Sequence, residues 1–280
     1  MQQKPRRQKT HSHSRIIANR SLGQTFLRDS SVARRIVDSL NLTPGDWVLE
    51  IGCGTGALTA YLAGKVQRFF GVELDSALHQ QLRSKFSLPG AVFLNLDILT
   101  LKVAELAEDF AKREQKIKVV GNLPYYISSP ILDWLGRESP CLASATIMVQ
   151  AEVADRLVAE PGSKAYGVLT LMTQFHFASH RLFHVKPGAF RPAPKVHSTV
   201  VRLNPKPLTS LNLSQRERFL GFLKQSFSQR RKTLLNCLKG VVDHRSLEDC
   251  LARLGCNPDA RAEALSLDQF VTLFKELQAS

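Results

Sequence analysis

The stretch Trp47-Val-Leu-Glu-Ile-Gly-Cys-Gly-Thr-Gly56 decides the fold. Five mostly apolar residues of strand character run straight into a loop with glycine at alternate positions. Glycine lets the backbone turn sharply and lets a ligand approach it closely. Beyond the loop, the spacing of Leu58, Tyr61 and Leu62 predicts a helix. The same alternation continues down the chain. Strands are expected at Phe69–Glu73, Val92–Leu96, Ile117–Gly121 and 145–149, and helices over 76–86, 101–113 and 130–137. Upstream, Val32, Ile36, Val37 and Leu40 share one helix face, with Asp29 or Ser30 as N-cap. Such β-α alternation implies a parallel sheet covered on both faces. Ligands of these sheets bind beyond the carboxyl ends of the strands. Gly52, Glu73, Asp97 and Asn122 all fall there.

After residue 150 two helices are expected, 150–158 and 166–177. Strands Leu182–Val185 and Val196–Leu203 follow and would close the sheet antiparallel. Asn204–Ser210 reads as a linker. Beyond it the patterns are helical: 214–227, 229–239, 246–254 and 266–278. The division expected is a basic, disordered tail at 1–20, an α/β domain at 21–204 and a small all-α domain at 211–280.

The 280 residues are 44% hydrophobic, enough for a sizeable core. Their net charge is +14, an excess that attracts polyanions, nucleic acid above all. Residues 216–240 hold seven Lys/Arg against one Glu, and 1–28 hold seven with no acid. No apolar run reaches the roughly 18–20 residues of a membrane helix, and residues 1–20 lack a signal-peptide core. A cytoplasmic protein with no membrane partner is expected. Five cysteines with no CxxC spacing argue against disulfides or structural zinc, and no metal is expected.

The GxGxG loop is not the GxGxxG dinucleotide fingerprint, and it lacks the Lys-Ser/Thr of a phosphate-binding loop. A pyrophosphate ligand is therefore not expected. Glu73, 21 residues after Gly52, can accept hydrogen bonds from ribose hydroxyls. Asp97, at the next strand end, can meet an adenine amine. A ribose acceptor, an adenine partner and a glycine loop without a diphosphate cradle suggest S-adenosylmethionine.

The fourth strand end offers Asn122-Leu-Pro-Tyr125. The exocyclic amine of adenine is a poor nucleophile, because its lone pair is delocalised into the ring. The Asn122 oxygen can accept one N–H, and the Leu123 carbonyl, fixed by Pro124, the other. Together they favour a pyramidal nitrogen aimed at a methyl donor. Tyr125 supplies a face on which an extruded base can stack. Tyr126 is open between packing and substrate contact.

These motifs resemble those of the small-subunit ribosomal RNA adenine dimethyltransferases, from about Ser21 to about Leu267. Gly23-Gln-Thr-Phe-Leu27 is similar to the family's GQNFL opening. Glu50–Gly56, Gly71–Asp75, Asp97 and Asn122–Tyr125 match its methyltransferase motifs. Ala189-Phe-Arg-Pro-Ala-Pro-Lys-Val196 resembles its FxPxPKV segment, and Gln229–Thr233 and Arg261-Ala-Glu263 its helical region. Thr25 stands where the family usually has Asn, and Tyr126 where Asn is common. The resemblance implies a Rossmann-like class I methyltransferase sheet with a small C-terminal all-α domain. It implies cofactor contacts at Gln24, Thr25, Leu27, Gly52, Gly54, Glu73, Leu74, Asp97, Ile98 and Asn122. It places the target adenine against Asn122, Leu123, Pro124 and Tyr125, with Phe190 stacking on its other side; ordinary core packing is the alternative for Phe190. RNA contacts are implied at Arg191, Lys195, Arg230, Arg231 and Lys232, against the reading of 230–232 as a solvated face. The implied substrate is two adjacent adenines in the 3′-terminal hairpin of small-subunit rRNA, on an assembling subunit met by a monomer. The rivals are a large-subunit rRNA adenine methyltransferase of the antibiotic-resistance type and a non-catalytic assembly factor on the same scaffold.

Overall fold

Asp29 starts the first helix: its carboxylate accepts from the Ser31 and Val32 N–H groups, 2.9 and 3.2 Å away. The computed structural model describes residues 25–279, except 88, 107–114 and 208–210. The expected tail and Gln24 lie outside the described residues. In chain order come β1 (Phe26–Leu27), α1 (Ser30–Asp38), β2 (Trp47–Ile51), α2 (Thr59–Leu62), β3 (Arg68–Val72), α3 (Ser76–Lys85) and β4 (Ala91–Leu94). There follow β5 (Ile117–Asn122), α4 (Ser128–Glu138), β6 (Leu142–Gln150), α5 (Ala151–Leu157), α6 (Val168–His176), β7 (Phe177–Val185), β8 (Phe190–Arg191) and β9 (Ser198–Pro205). Then α7 (Leu213–Ser226), α8 (Leu234–Cys237), α9 (His244–Arg253) and α10 (Leu267–Ala279) complete the order.

Among the described residues, seven strands form one sheet in the order β4-β3-β2-β5-β6-β9-β7. β4 to β6 pair parallel, and β9 is antiparallel to both β6 and β7. Every residue of β2 is buried, as a central strand covered on both faces requires. From β2 the chain winds outward to β3 and β4, then returns to β5 on the other side. The β2–β5 boundary is therefore the switch point of the sheet, where a ligand cleft is expected. One core, with Leu49, Val119, Trp134 and Ile147, packs under α4; another, with Ile36, Leu62 and Phe69, packs under α1 and α2.

A third core joins Phe219, Leu223, Leu251, Phe270 and Phe274 of the C-terminal helices. It also takes in Ala159, Tyr166, Leu171 and Phe175, so α6 and the loop before it pack with the helical part. The Tyr166 hydroxyl donates to the Leu265 carbonyl at 2.9 Å and tightens that joint.

Two expected elements differ. The sequence pattern predicts a helix over 101–113. The structure has a 3₁₀ turn at Val103–Glu105, and residues 107–114 lie outside the described ones. Trp134 Nε1 donates to the Leu101 carbonyl at 2.7 Å, holding the entry extended. The pattern also predicts a helix over 229–239. Only Leu234–Cys237 is helical, with Thr233 as its N-cap. Ser228 to Lys232 offer no apolar side chain to bury, so Gln229-Arg-Arg-Lys232 forms a turn closed by Lys232 N–H to Gln229 C=O at 3.0 Å.

Candidate active site

The carboxyl ends of β2, β3 and β5 open on one cleft. It is lined by Thr25, Leu27, Gly52, Gly54, Glu73, Leu74, Asp97, Ile98, Asn122, Leu123 and Pro124 among others. Most of the sequence-derived cofactor and base contacts thus converge. Gly52 has φ +66°, and a Cβ there would meet nothing within 4 Å. Bare backbone faces open cleft at this point. Gly54, at φ +55°, lies under the ring of Phe26, whose Cδ1 would be 3.2 Å from an added Cβ. Phe26 is a cleft residue that sequence reading passed over.

Glu73 follows the end of β3 and is buried, 7% exposed. Its two oxygens accept from the Gly54 N–H at 2.7 Å and the Asp75 N–H at 3.0 Å. Asp75 in turn caps α3 through the Ala77 and Leu78 N–H groups. Glycine loop, carboxylate and helix start are thereby tied together, and Glu73 can turn further lone pairs on ribose hydroxyls. Burial pushes its pKa upward, against the two backbone donors. Asp97 lies three residues beyond β4, where it accepts from the Leu99 N–H at 3.0 Å and caps a 3₁₀ turn. This donor and acceptor set fits an adenosyl group that carries no phosphate.

Glu50 was quoted in the motif but given no role. An acid inside an apolar strand was the available signal. It is 2% exposed and accepts from the Thr59 hydroxyl at 2.7 Å. Burial pushes its pKa up to about 8; the Thr59 bond opposes this and the nearby Glu73 charge adds to it. The folded protein therefore holds a proton that the unfolded chain loses near pH 4.5. Its contribution is present below that pH and is lost as pH rises from about 4.5 to about 8, by at most about 5 kcal/mol. Glu50→Gln, neutral and isosteric, is expected to gain stability over the wild type across that window and to match it below pH 4. Thermal unfolding of both proteins from pH 4 to 9 measures the difference.

Asn122 ends β5. Its Nδ2 donates to the Thr25 carbonyl at 3.2 Å, which leaves Oδ1 as the free acceptor. Leu123 N–H donates to the Met148 carbonyl at 3.1 Å, fixing the next peptide. Tyr125 and Phe190 do not line the cleft. The Tyr125 hydroxyl shares a 2.7 Å hydrogen bond with Ser198 Oγ at the start of β9, which turns the ring that way. Phe190 is 4% exposed and packs with Leu27 and Val185 in the core under α1. It also pairs with Leu27 in the small β1–β8 ribbon. Tyr126 instead lines the cleft and is 54% exposed.

Of the implied RNA contacts, Arg191, Lys195, Arg231 and Lys232 are exposed. Arg230 is partly engaged. It donates to the Lys164 carbonyl at 2.8 Å and lies 4.0 Å from Glu263. Among the described residues no helix is long and apolar enough to cross a membrane.

Residues 16–279 match the family described as ribosomal RNA adenine dimethylase. The chain belongs to that family. Membership makes it an S-adenosylmethionine-dependent rRNA adenine dimethyltransferase on a class I methyltransferase fold. Over 267 residues it is 40% identical to the ribosomal RNA small subunit methyltransferase A of Koribacter versatilis, covering 92% of this chain and 93% of the relative. To the protein of the same name from Geobacter sulfurreducens it is 41% identical over 269 residues, covering 95% and 97%. Among solved structures, the 23S rRNA methyltransferase ErmE superposes with a TM-score of 0.69 at 30% identity, over 90% of this chain and 99% of that one. A dimethyladenosine transferase from Plasmodium falciparum superposes at 0.73, with 23% identity, over 90% and 97%.

Proposed function

We propose that this chain dimethylates N6 of two adjacent adenines in the 3′-terminal hairpin of small-subunit rRNA, on an assembling subunit in the cytoplasm, and works as a monomer. The observation that carries the chemistry is Asn122: it lines the cleft, and its amide nitrogen is taken by the Thr25 carbonyl, so its oxygen would be the acceptor offered to the substrate. The identities of 40–41% to small-subunit enzymes, against 30% to the 23S enzyme ErmE, favour the small subunit.

Glu73 would hold the ribose, Asp97 and Ile98 the adenine edge, Leu74 its face, and Thr25, Leu27, Gly52 and Gly54 the remainder. S-adenosylmethionine supplies, when bound, an electrophilic methyl group. The protein's own work is on the acceptor. Asn122 Oδ1 and the Leu123 carbonyl take the two amine N–H groups and stabilise the positive charge that develops on nitrogen. Pro124 restrains that carbonyl. Tyr126 is an exposed ring that lines the cleft, so it is the better placed candidate for base stacking, ahead of Tyr125, which is turned toward Ser198, and Phe190, which is buried. The proton leaves to solvent after transfer. Residues 21–204 would carry this chemistry, and 211–280, with Arg191 and Lys195, would grip RNA.

The test is methyl transfer from labelled S-adenosylmethionine to isolated unmodified subunits. Label in small-subunit RNA alone is expected. Label in large-subunit RNA alone would support the resistance-type reading, and tight binding without label the assembly-factor reading.

A further inference from the structure

Five basic residues come from segments that meet at one corner of the helical part. Arg230, Lys232 and Arg261 line a narrow cleft with Glu263; Arg231 adjoins them, and Lys164 meets Arg230 through its carbonyl. Glu263 lies among them, 4.0 Å from Arg230. Gathering like charges costs stability unless an anion joins them.

The loop that carries Lys164 is held at alternate residues. Gly162 N–H donates to the Glu263 carbonyl at 2.8 Å. Arg230 Nη2 donates to the Lys164 carbonyl at 2.8 Å, and the Tyr166 hydroxyl to the Leu265 carbonyl at 2.9 Å. The backbone of Lys164 is thereby fixed while its side chain is exposed. A fixed stem lowers the entropy lost when a lysine meets a phosphate. Arg230, by contrast, spends one donor on the protein's own backbone.

We propose that Lys164 is a phosphate ligand for the RNA and that Arg230 acts through it as a positioning residue. Residues on both sides of the domain joint then share one phosphate track. The proposal rests on the rRNA reading above. Each phosphate contact adds about 0.9 to the slope of log affinity against log salt on a duplex, so each is worth roughly threefold between 50 and 200 mM salt.

The test measures binding of unmodified small subunits at several salt concentrations for the wild type, Lys164→Ala, Lys164→Arg, Arg230→Ala and the double alanine variant. Lys164→Ala is expected to bind severalfold more weakly at low salt and to lower the slope by about one, with Lys164→Arg restoring it. Arg230→Ala should lower the slope by about one as well, and the double variant by no more than either alone. Slope losses that add to two in the double variant would overturn the positioning role. Wild-type behaviour of Lys164→Ala, a surface change that leaves folding intact, would overturn the ligand role. A flat salt dependence of the wild type would instead sink the rRNA reading itself.

Discussion

Asn122→Asp is expected to lower the methyl-transfer rate by about 10²–10³-fold, the usual effect of removing one preorganised charge-stabilising group. The amide has two tasks. Its nitrogen donates to the Thr25 carbonyl at 3.2 Å, and its oxygen is the proposed acceptor for the substrate amine. A carboxylate has no donor, so it faces the Thr25 carbonyl as one acceptor against another and turns away. Asn122→Ala removes both bonds and should fall at least as far. The loss should appear in kcat more than in the affinity for S-adenosylhomocysteine, because the acceptor acts most strongly where charge develops. Single-turnover rates with unmodified small subunits, beside calorimetric binding of the product, separate the two. Wild-type kcat in Asn122→Asp would remove Asn122 from the mechanism.

The second large effect is expected at Glu73. Its carboxylate holds the glycine loop through Gly54 and the start of α3 through Asp75. Removing it by Glu73→Ala leaves two backbone donors without their partner and takes away the proposed ribose acceptor. A charged hydrogen bond contributes about 1.5–3 kcal/mol, so losing two to the ribose should weaken cofactor binding about 10²-fold or more. Glu73→Gln keeps one acceptor oxygen and should lie between. Equilibrium dialysis with labelled S-adenosylhomocysteine measures all three proteins. Affinity within threefold of wild type for Glu73→Ala would place the ribose elsewhere.

The sheet was legible in the sequence because each buried strand is a short apolar run followed by a chemically distinct end. Trp47–Ile51 with its glycines and Ile117–Gly121 with Asn122 are the clearest cases. Periodicity misread 229–239 because lysines and arginines are good helix formers but leave no apolar face at 228–232. It also gave no hint that α6 packs with the C-terminal helices, since burial says nothing of which core a helix joins. In the site, strand-end residues were readable one by one. What escaped was everything that depends on two distant segments meeting. Phe26 over Gly54, Thr25 against Asn122 and Arg230 on the Lys164 carbonyl are contacts between segments 28, 97 and 66 residues apart. Glu50 could have been singled out, because an acid in the middle of a buried strand carries a desolvation cost that asks for a reason.

The most direct measurement is the identity and position of the product. Small subunits lacking the modification are incubated with the protein and S-adenosylmethionine, and the RNA is then digested and its nucleosides weighed and mapped. N6,N6-dimethyladenosine is expected at two adjacent positions of the 3′-terminal hairpin, four methyl groups per subunit, with far less formed in the same time by Asn122→Ala, as the proposed reaction requires. Unmodified adenines there after incubation with folded, subunit-bound protein would contradict it.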